Sequence, residues 1–183
     1  MNDRTIIEEC RALAPRAYAP YSEFHVAAAA RTDAGTVHFG VNMENASYGL
    51  TMCAEIGALM AANTAGDLAN IRALYITGGA MNEKGKLEGK DIVTPCGRCR
   101  QLIYEAACLS GRDIAVICAS GDGTRVRRST IRKMLPYSFG PQTLREHRSN
   151  ARAGRSDRVR KGAKSWRVVS PSVRRNQAHV RNR

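Results

Sequence analysis

Three cysteines restrict the fold of this chain more than any other feature. Each stands where a loop gives way to a helical pattern. Cys53 follows the small and polar stretch "MENASYGLT" (43–51) and falls in "MCAEIGALMAAN" (52–63), which predicts a helix buried on most sides. Cys96 and Cys99 follow "GGAMNEKGKLEGKDIVT", a long loop with four glycines, and open "CGRCRQLIYEAA" (96–107), a second predicted helix. A redox pair would need Cys96 and Cys99 alone. A closed structural metal knuckle would need a second pair, and only Cys53 occupies a comparable place. Two helix N-termini facing each other would bring all three thiols together, and the positive ends of the helix dipoles would favour thiolates.

The remaining pattern supplies a scaffold for such a meeting. Residues 3–14 predict a helix with Asp3 as N-cap and Ile6, Ile7 and Cys10 on one face, ended by Pro15. "FHVAAAAR" (24–31) and "TVHFGVN" (36–42) read as two strands joined by the turn "TDAG". "IRALYIT" (71–77) and "DIAVICAS" (113–120) are further strands, and "STIRKMLP" (129–136) a short helix. A helix, a hairpin and then alternating helices and strands specify a mixed sheet with helices on both faces.

Charge separates two regions. Residues 145–183 carry 13 Lys/Arg against 2 Asp/Glu, whereas residues 1–144 carry 16 against 14, so the formal charge of +13 belongs mostly to the end of the chain. From Arg145 onward there is no hydrophobic period, and a flexible basic extension is expected after a catalytic domain of residues 1–144. Such an extension gives salt-sensitive, sequence-independent attraction to nucleic acid. Its one aromatic, Trp166, leaves little for base stacking, which argues against nucleic acid as the partner. No apolar run approaches a membrane span and no export signal opens the chain, so a cytoplasmic protein without disulfides or a membrane partner is expected. Cys10, Cys108 and Cys118 read as buried small hydrophobes. His25, His38, His147 and His179 read as surface or internally satisfied histidines rather than ligands.

Glu55 adds chemistry to the thiols. Three protein ligands with one open position is the pattern of catalytic rather than structural zinc. A carboxylate two residues after Cys53 lies beside such a position and can accept a proton there and pass it on. A ligand, one residue, a glutamate and later Pro-Cys-x-x-Cys is the layout of zinc-dependent nucleobase deaminases. Here it reads Cys53-Ala54-Glu55 and Pro95-Cys96-Gly97-Arg98-Cys99.

At these residues the chain resembles the small homotetrameric cytidine deaminases. The resemblance runs from about Arg4 to Leu144 and rests on "YAPYSEFHVAAA", "VNMENASYGLTMCAE", "TPCGRCRQ" and "LPYSFGP", in that order. It implies a three-layer α/β/α fold with a five-stranded mixed sheet. It implies one zinc ion per chain on Cys53, Cys96 and Cys99, with Glu55 as proton shuttle. Phe24 would stack on the pyrimidine, Asn42 and Glu44 would bind the ribose hydroxyl, and the Ala54 backbone would contact the base. Ala46, Tyr48 and Phe139 would reach a neighbouring subunit's pocket. The implied reaction is hydrolysis of cytidine or deoxycytidine to the uridine nucleoside and ammonia, in pyrimidine salvage.

Three positions depart from the family. Ala27 replaces a glycine and is expected to tighten packing. Ile56 stands where the family carries an arginine after the catalytic glutamate. Arg98 stands where it has a small residue between the last two cysteines. Zinc with three thiolates is net negative, which weakens its pull on electrons. Arg98, donating to the thiolates, is expected to replace the arginine lost at Ile56. This "CGRC" pattern also resembles blasticidin S deaminases, and replacement of the charge at Ile56 suggests room for bulkier groups on C4 of cytosine. A modified-cytosine deaminase is therefore the alternative, and a polynucleotide-editing deaminase a more remote one.

Overall fold

The computed structural model describes residues 1–144; the expected basic extension lies outside the described residues. Its elements are α1 (Asp3–Leu13), β1 (His25–Thr32), β2 (Val37–Val41), α2 (Ala54–Thr64), β3 (Ile71–Gly79), α3 (Gly97–Ser110), β4 (Ala115–Ala119), β5 (Val126–Thr130) and the short α4 (Ile131–Met134). The five strands form one sheet in the order β2-β1-β3-β4-β5, with β3 and β4 parallel and the other neighbours antiparallel. This is the expected mixed sheet in a three-layer arrangement.

Strand alternation divides the core in two. Ala28, Ala30, Leu74, Ile76, Val116 and Cys118 meet α2 and α3 on one face. Ala27, Ala29, Tyr75, Ile117 and Ala119 meet Ile6, Ile7 and Cys10 of α1 on the other. Ala27 is fully buried, in keeping with the tight packing expected there.

Topology places the functional end. β2 and β3 are both antiparallel to β1, so they run in the same direction and finish at the same end of the sheet. Each is followed by a loop and then a helix packed on the same face. The N-termini of α2 and α3 therefore both start from that end. β1 begins there too, with Phe24 just before its first residue.

The approach of α2 to the sheet is unusually close. A Cβ on Gly40 of β2 would lie 2.5 Å from the Ala54 carbonyl oxygen and 2.6 Å from the carbonyl carbon of Gly57. Gly57 faces it, and a Cβ there would lie 3.2 Å from the Gly40 Cα. Strand and helix thus touch backbone to backbone.

Four expectations need correction. Asn2, not Asp3, caps α1: its side chain accepts from the Thr5 amide at 2.9 Å. Asp3 lies inside the helix and accepts instead from the Tyr75 hydroxyl at 2.5 Å, beside Arg31 and Arg128. The stretch 129–136 is not one helix: Ser129 and Thr130 end β5, which pairs with β4, and α4 covers only Ile131–Met134. β5 is an edge strand with Val126, Arg127 and Arg128 exposed, so no buried alternation announces it. Cys108 is only half-buried, with its sulfur 3.8 Å from Gln142 Oε1. His38 is satisfied by Asp67 at 2.8 Å, but the buried Nδ1 of His25 has no hydrogen-bond partner among the described residues.

Gly40→Ala tests the close approach. Overpacking typically costs about 1–3 kcal/mol, and because the atoms met here are backbone, the upper end is expected, measured as a shift of the urea midpoint at unchanged slope.

Candidate metal centre and active site

Cys53 and Cys96 are the N-cap residues of α2 and α3, and Cys99 lies in the first turn of α3. Neither cap side chain accepts from a backbone amide of its own helix, so both sulfurs are left to meet other partners. All three sulfurs lie within 4.8 Å of one another, with Cys53–Cys96 at 3.9 Å and Cys96–Cys99 at 3.5 Å. Cys99 is buried, Cys53 half-buried and Cys96 exposed, so the cluster is open on one side.

The loop before Cys96 is pinned to the sheet. The Glu88 carbonyl passes so near Gly79 and Gly121 that a side chain on either would collide with it. Ile92 then bridges to Ser120, and Arg100 holds the Pro95 carbonyl at 2.8 Å and reaches that of Met134 at 3.3 Å. The cysteine pair is thereby fixed against the ends of β3 and β4.

The thiols perturb one another. Cys53 is pulled down to about 6, chiefly by its hydrogen bond with Cys99, with the positive charge of Arg98 a smaller cause. Cys99 is pushed up by that same hydrogen bond and by burial. Binding a dication requires these thiols to give up their protons. Glu55 is 4% exposed, and burial raises its carboxyl above the usual range.

The other expected residues surround this end of the sheet. Asn42 is buried; its Oδ1 accepts from the Val26 amide at 2.8 Å and its Nδ2 donates to the Phe24 carbonyl at 3.0 Å. Glu44 accepts from the amides of Tyr21 at 2.9 Å and Ser22 at 3.2 Å, and from the Ser22 hydroxyl. Tyr21, Ser22, Glu44, Tyr48 and Thr51 line a hollow of about 350 Å³. Ala54 is fully buried and Ala46 exposed. Phe24, Tyr48 and Phe139 are exposed in the single chain, at 42%, 74% and 57%. A larger hollow, about 790 Å³, lies between α1 and the β4–β5 turn. There Asp3, Glu8 and Asp122 offset Arg4, Arg11 and Arg128, and no thiol lines it.

Sequence reasoning did not single out Ser22, Thr51 or Met52. Arg98 donates to the Thr51 carbonyl at 3.3 Å and toward the Met52 sulfur at 3.4 Å, the two residues that lead into Cys53. The donation to the thiols expected of Arg98 is not made among the described residues; its charge acts on Cys53 from this position instead. Ile56 lines an apolar groove between α2 and α3 with Leu59, Met60 and Leu102.

A family model for the cytidine and deoxycytidylate deaminase zinc-binding region matches residues 1–110. The chain belongs to this deaminase family. It is 33% identical to a cytidine deaminase of Sporosarcina psychrophila over 144 residues, 79% of this chain and 96% of the relative. It is 36% identical to a probable cytidine deaminase of Dictyostelium discoideum over 132 residues, 70% of this chain and 77% of the relative. The crystal structure of cytidine deaminase from Burkholderia pseudomallei matches with a TM-score of 0.65 at 36% identity, covering 76% of this chain and all of that one.

The deaminase family's zinc fits the residues present. Three thiols form a soft donor set suited to zinc. Tetrahedral zinc with Zn–S of about 2.3 Å sets its sulfurs about 3.8 Å apart, and the two sulfur pairs that bracket Cys96 stand at 3.9 and 3.5 Å.

Burial of Glu55 predicts a pH effect in the metal-free protein. Its carboxyl lies above the ordinary 4.5 in the fold, so ionising it opposes folding. The penalty is absent below the ordinary value and complete above the folded one. Glu55→Gln is therefore expected to raise the thermal midpoint at pH 7 and to lose that advantage as the pH falls from the folded value to 4.5, as followed by circular dichroism.

Proposed function

We propose that the chain deaminates cytidine and deoxycytidine hydrolytically, releasing ammonia and the uridine nucleoside, in pyrimidine salvage. The observation that carries this reading is the three-thiol cluster at two helix N-termini with the buried Glu55 two residues from Cys53. Cytidine deaminase relatives from several organisms support it.

Zinc, when bound by Cys53, Cys96 and Cys99, supplies a Lewis acid that makes a hydrolytic nucleophile available near neutral pH. Glu55 takes up one proton of the attacking water and gives it to the ring nitrogen, then takes the second from the hydroxyl formed at C4 and passes it to the departing amine. A buried carboxyl two residues from Cys53 is placed for both transfers. Phe24 offers a ring face to the pyrimidine, and Ala54 a backbone contact to the base. Asn42 and Glu44 each retain hydrogen-bonding capacity beyond their internal bonds for a ribose hydroxyl. Arg98 offsets the negative charge of three thiolates from its place on Thr51 and Met52.

A homotetramer with shared sites accompanies this reading. Tyr48 and Phe139 leave large rings in solvent in one chain, as residues serving a neighbour's pocket would, with Ala46 exposed beside Tyr48. No helix among the described residues is long and apolar enough to cross a membrane, and all six cysteines are free, which supports the cytoplasm as its place. Residues 1–144 are nearly neutral, and this favours a small nucleoside over nucleic acid. The second reading, a deaminase of modified cytosines such as blasticidin S, draws on Arg98. It draws nothing from Ile56, whose side chain lines the α2–α3 groove.

The test is loss of ultraviolet absorbance on adding protein to cytidine, deoxycytidine and blasticidin S in parallel. Cytidine turnover is expected, falling about 10³-fold or more in Glu55→Ala and about tenfold in Arg98→Ala. Turnover of blasticidin S alone would replace the first reading with the second, and activity surviving Glu55→Ala would overturn the assigned shuttle.

A further inference from the structure

We infer that Ser22 is a positioning residue that couples Glu44 to Phe24, so that the sugar end of the site sets the stacking ring. This rests on the nucleoside reading above and adds a residue to it.

Phe24 precedes the first residue of β1 and has no place in the strand ladder that would fix it. The residue before it, Glu23, has φ 53°, a left-handed conformation that a glutamate adopts only when its surroundings impose it. The bonds that impose it meet at Phe24 from two sides. On one, Asn42 Nδ2 donates to the Phe24 carbonyl at 3.0 Å, while its Oδ1 takes the Val26 amide at 2.8 Å. On the other, the Phe24 amide donates to Ser22 Oγ at 3.1 Å, and that hydroxyl donates to Glu44 Oε1.

The direction of this second chain is set by chemistry. Glu44 is ionised and can only accept, so the Ser22 hydroxyl spends its proton on the carboxylate and turns its lone pairs to the Phe24 amide. Both bonds polarise the same hydroxyl and strengthen each other. The other Glu44 oxygen takes the amides of Tyr21 and Ser22 at 2.9 and 3.2 Å, so the carboxylate clasps the whole turn that presents the ring. The ring itself lies over Gly78 of β3, where a Cβ would come within 3.4 Å of Phe24 Cε1. A base stacked on Phe24 and a sugar hydroxyl at Glu44 would thus belong to one hydrogen-bonded unit joined at Ser22.

The experiment combines kinetics with an activity-independent readout. Ser22→Ala is expected to raise KM for cytidine about tenfold, the size of one lost charge-assisted hydrogen bond, with kcat nearly unchanged and zinc content retained. Ser22→Thr, which keeps the hydroxyl, is expected to restore KM. In a Glu44→Ala background Ser22→Ala should add less than about twofold, because the hydroxyl is already unaligned. Hydrogen exchange at the Phe24 amide, followed by NMR, should accelerate in both Ser22→Ala and Glu44→Ala. An equal KM penalty with and without Glu44, or a Phe24 amide that both variants leave unchanged, overturns the coupling. A wild type inactive on cytidine removes the nucleoside reading, and the Phe24 amide then decides the coupling by itself.

Discussion

The backbone contact between β2 and α2 at Gly40 and Gly57 is the constraint on which the rest of the structure depends. It fixes how near the first turn of α2 lies to the sheet, and that turn carries Cys53 at its cap and Glu55 two residues on. The strand order does the rest. Because β1 lies between β2 and β3 and opposes both, the helices that follow β2 and β3 start from the same end. The thiols converge through topology, and the small residues of β1, the run Ala27–Ala30, leave room for helices on both faces.

Bringing three thiols and a carboxylate to one place is electrostatically unfavourable without compensation. The fold supplies part of it through two helix N-termini, whose unpaired amides carry partial positive charge. Arg98 supplies a full one, anchored on the segment leading into Cys53. Burial of Glu55 works the other way and keeps its proton from leaving too easily. The metal-free site is therefore strained in charge, and it is organised for a cation. Function and stability pull against each other here, as expected where a fold is built around chemistry rather than around its core.

The parts of this account that were legible in the sequence are those that repeat a local rule. Two helices beginning at Cys53 and Cys96, the hairpin, and the strands 71–77 and 113–120 follow from periodicity and turn residues, and each is present with ends shifted by a few residues. The thiol cluster was legible because both of its halves sit at helix starts. What could not be read depends on tertiary partners. β5 is held by β4 through backbone bonds, with no buried face of its own. Asn2 and Asp3 both suit a cap, and the choice falls to Asn2 because Tyr75, 72 residues away, claims the Asp3 carboxylate. The reach of Arg98 along the backbone to Thr51 and the clasp of Glu44 on Tyr21 and Ser22 are side-chain choices between segments far apart in the chain.

The central claim is that three sulfurs, and only three, hold the metal, leaving one position for chemistry beside Glu55. X-ray absorption at the zinc edge of the loaded protein tests it most directly. A shell of three sulfurs at about 2.3 Å and one lighter atom near 2.0 Å is expected. A shell of four sulfurs would make the centre a closed structural site, and a shell dominated by nitrogen and oxygen would place the metal away from Cys53, Cys96 and Cys99; either result contradicts it.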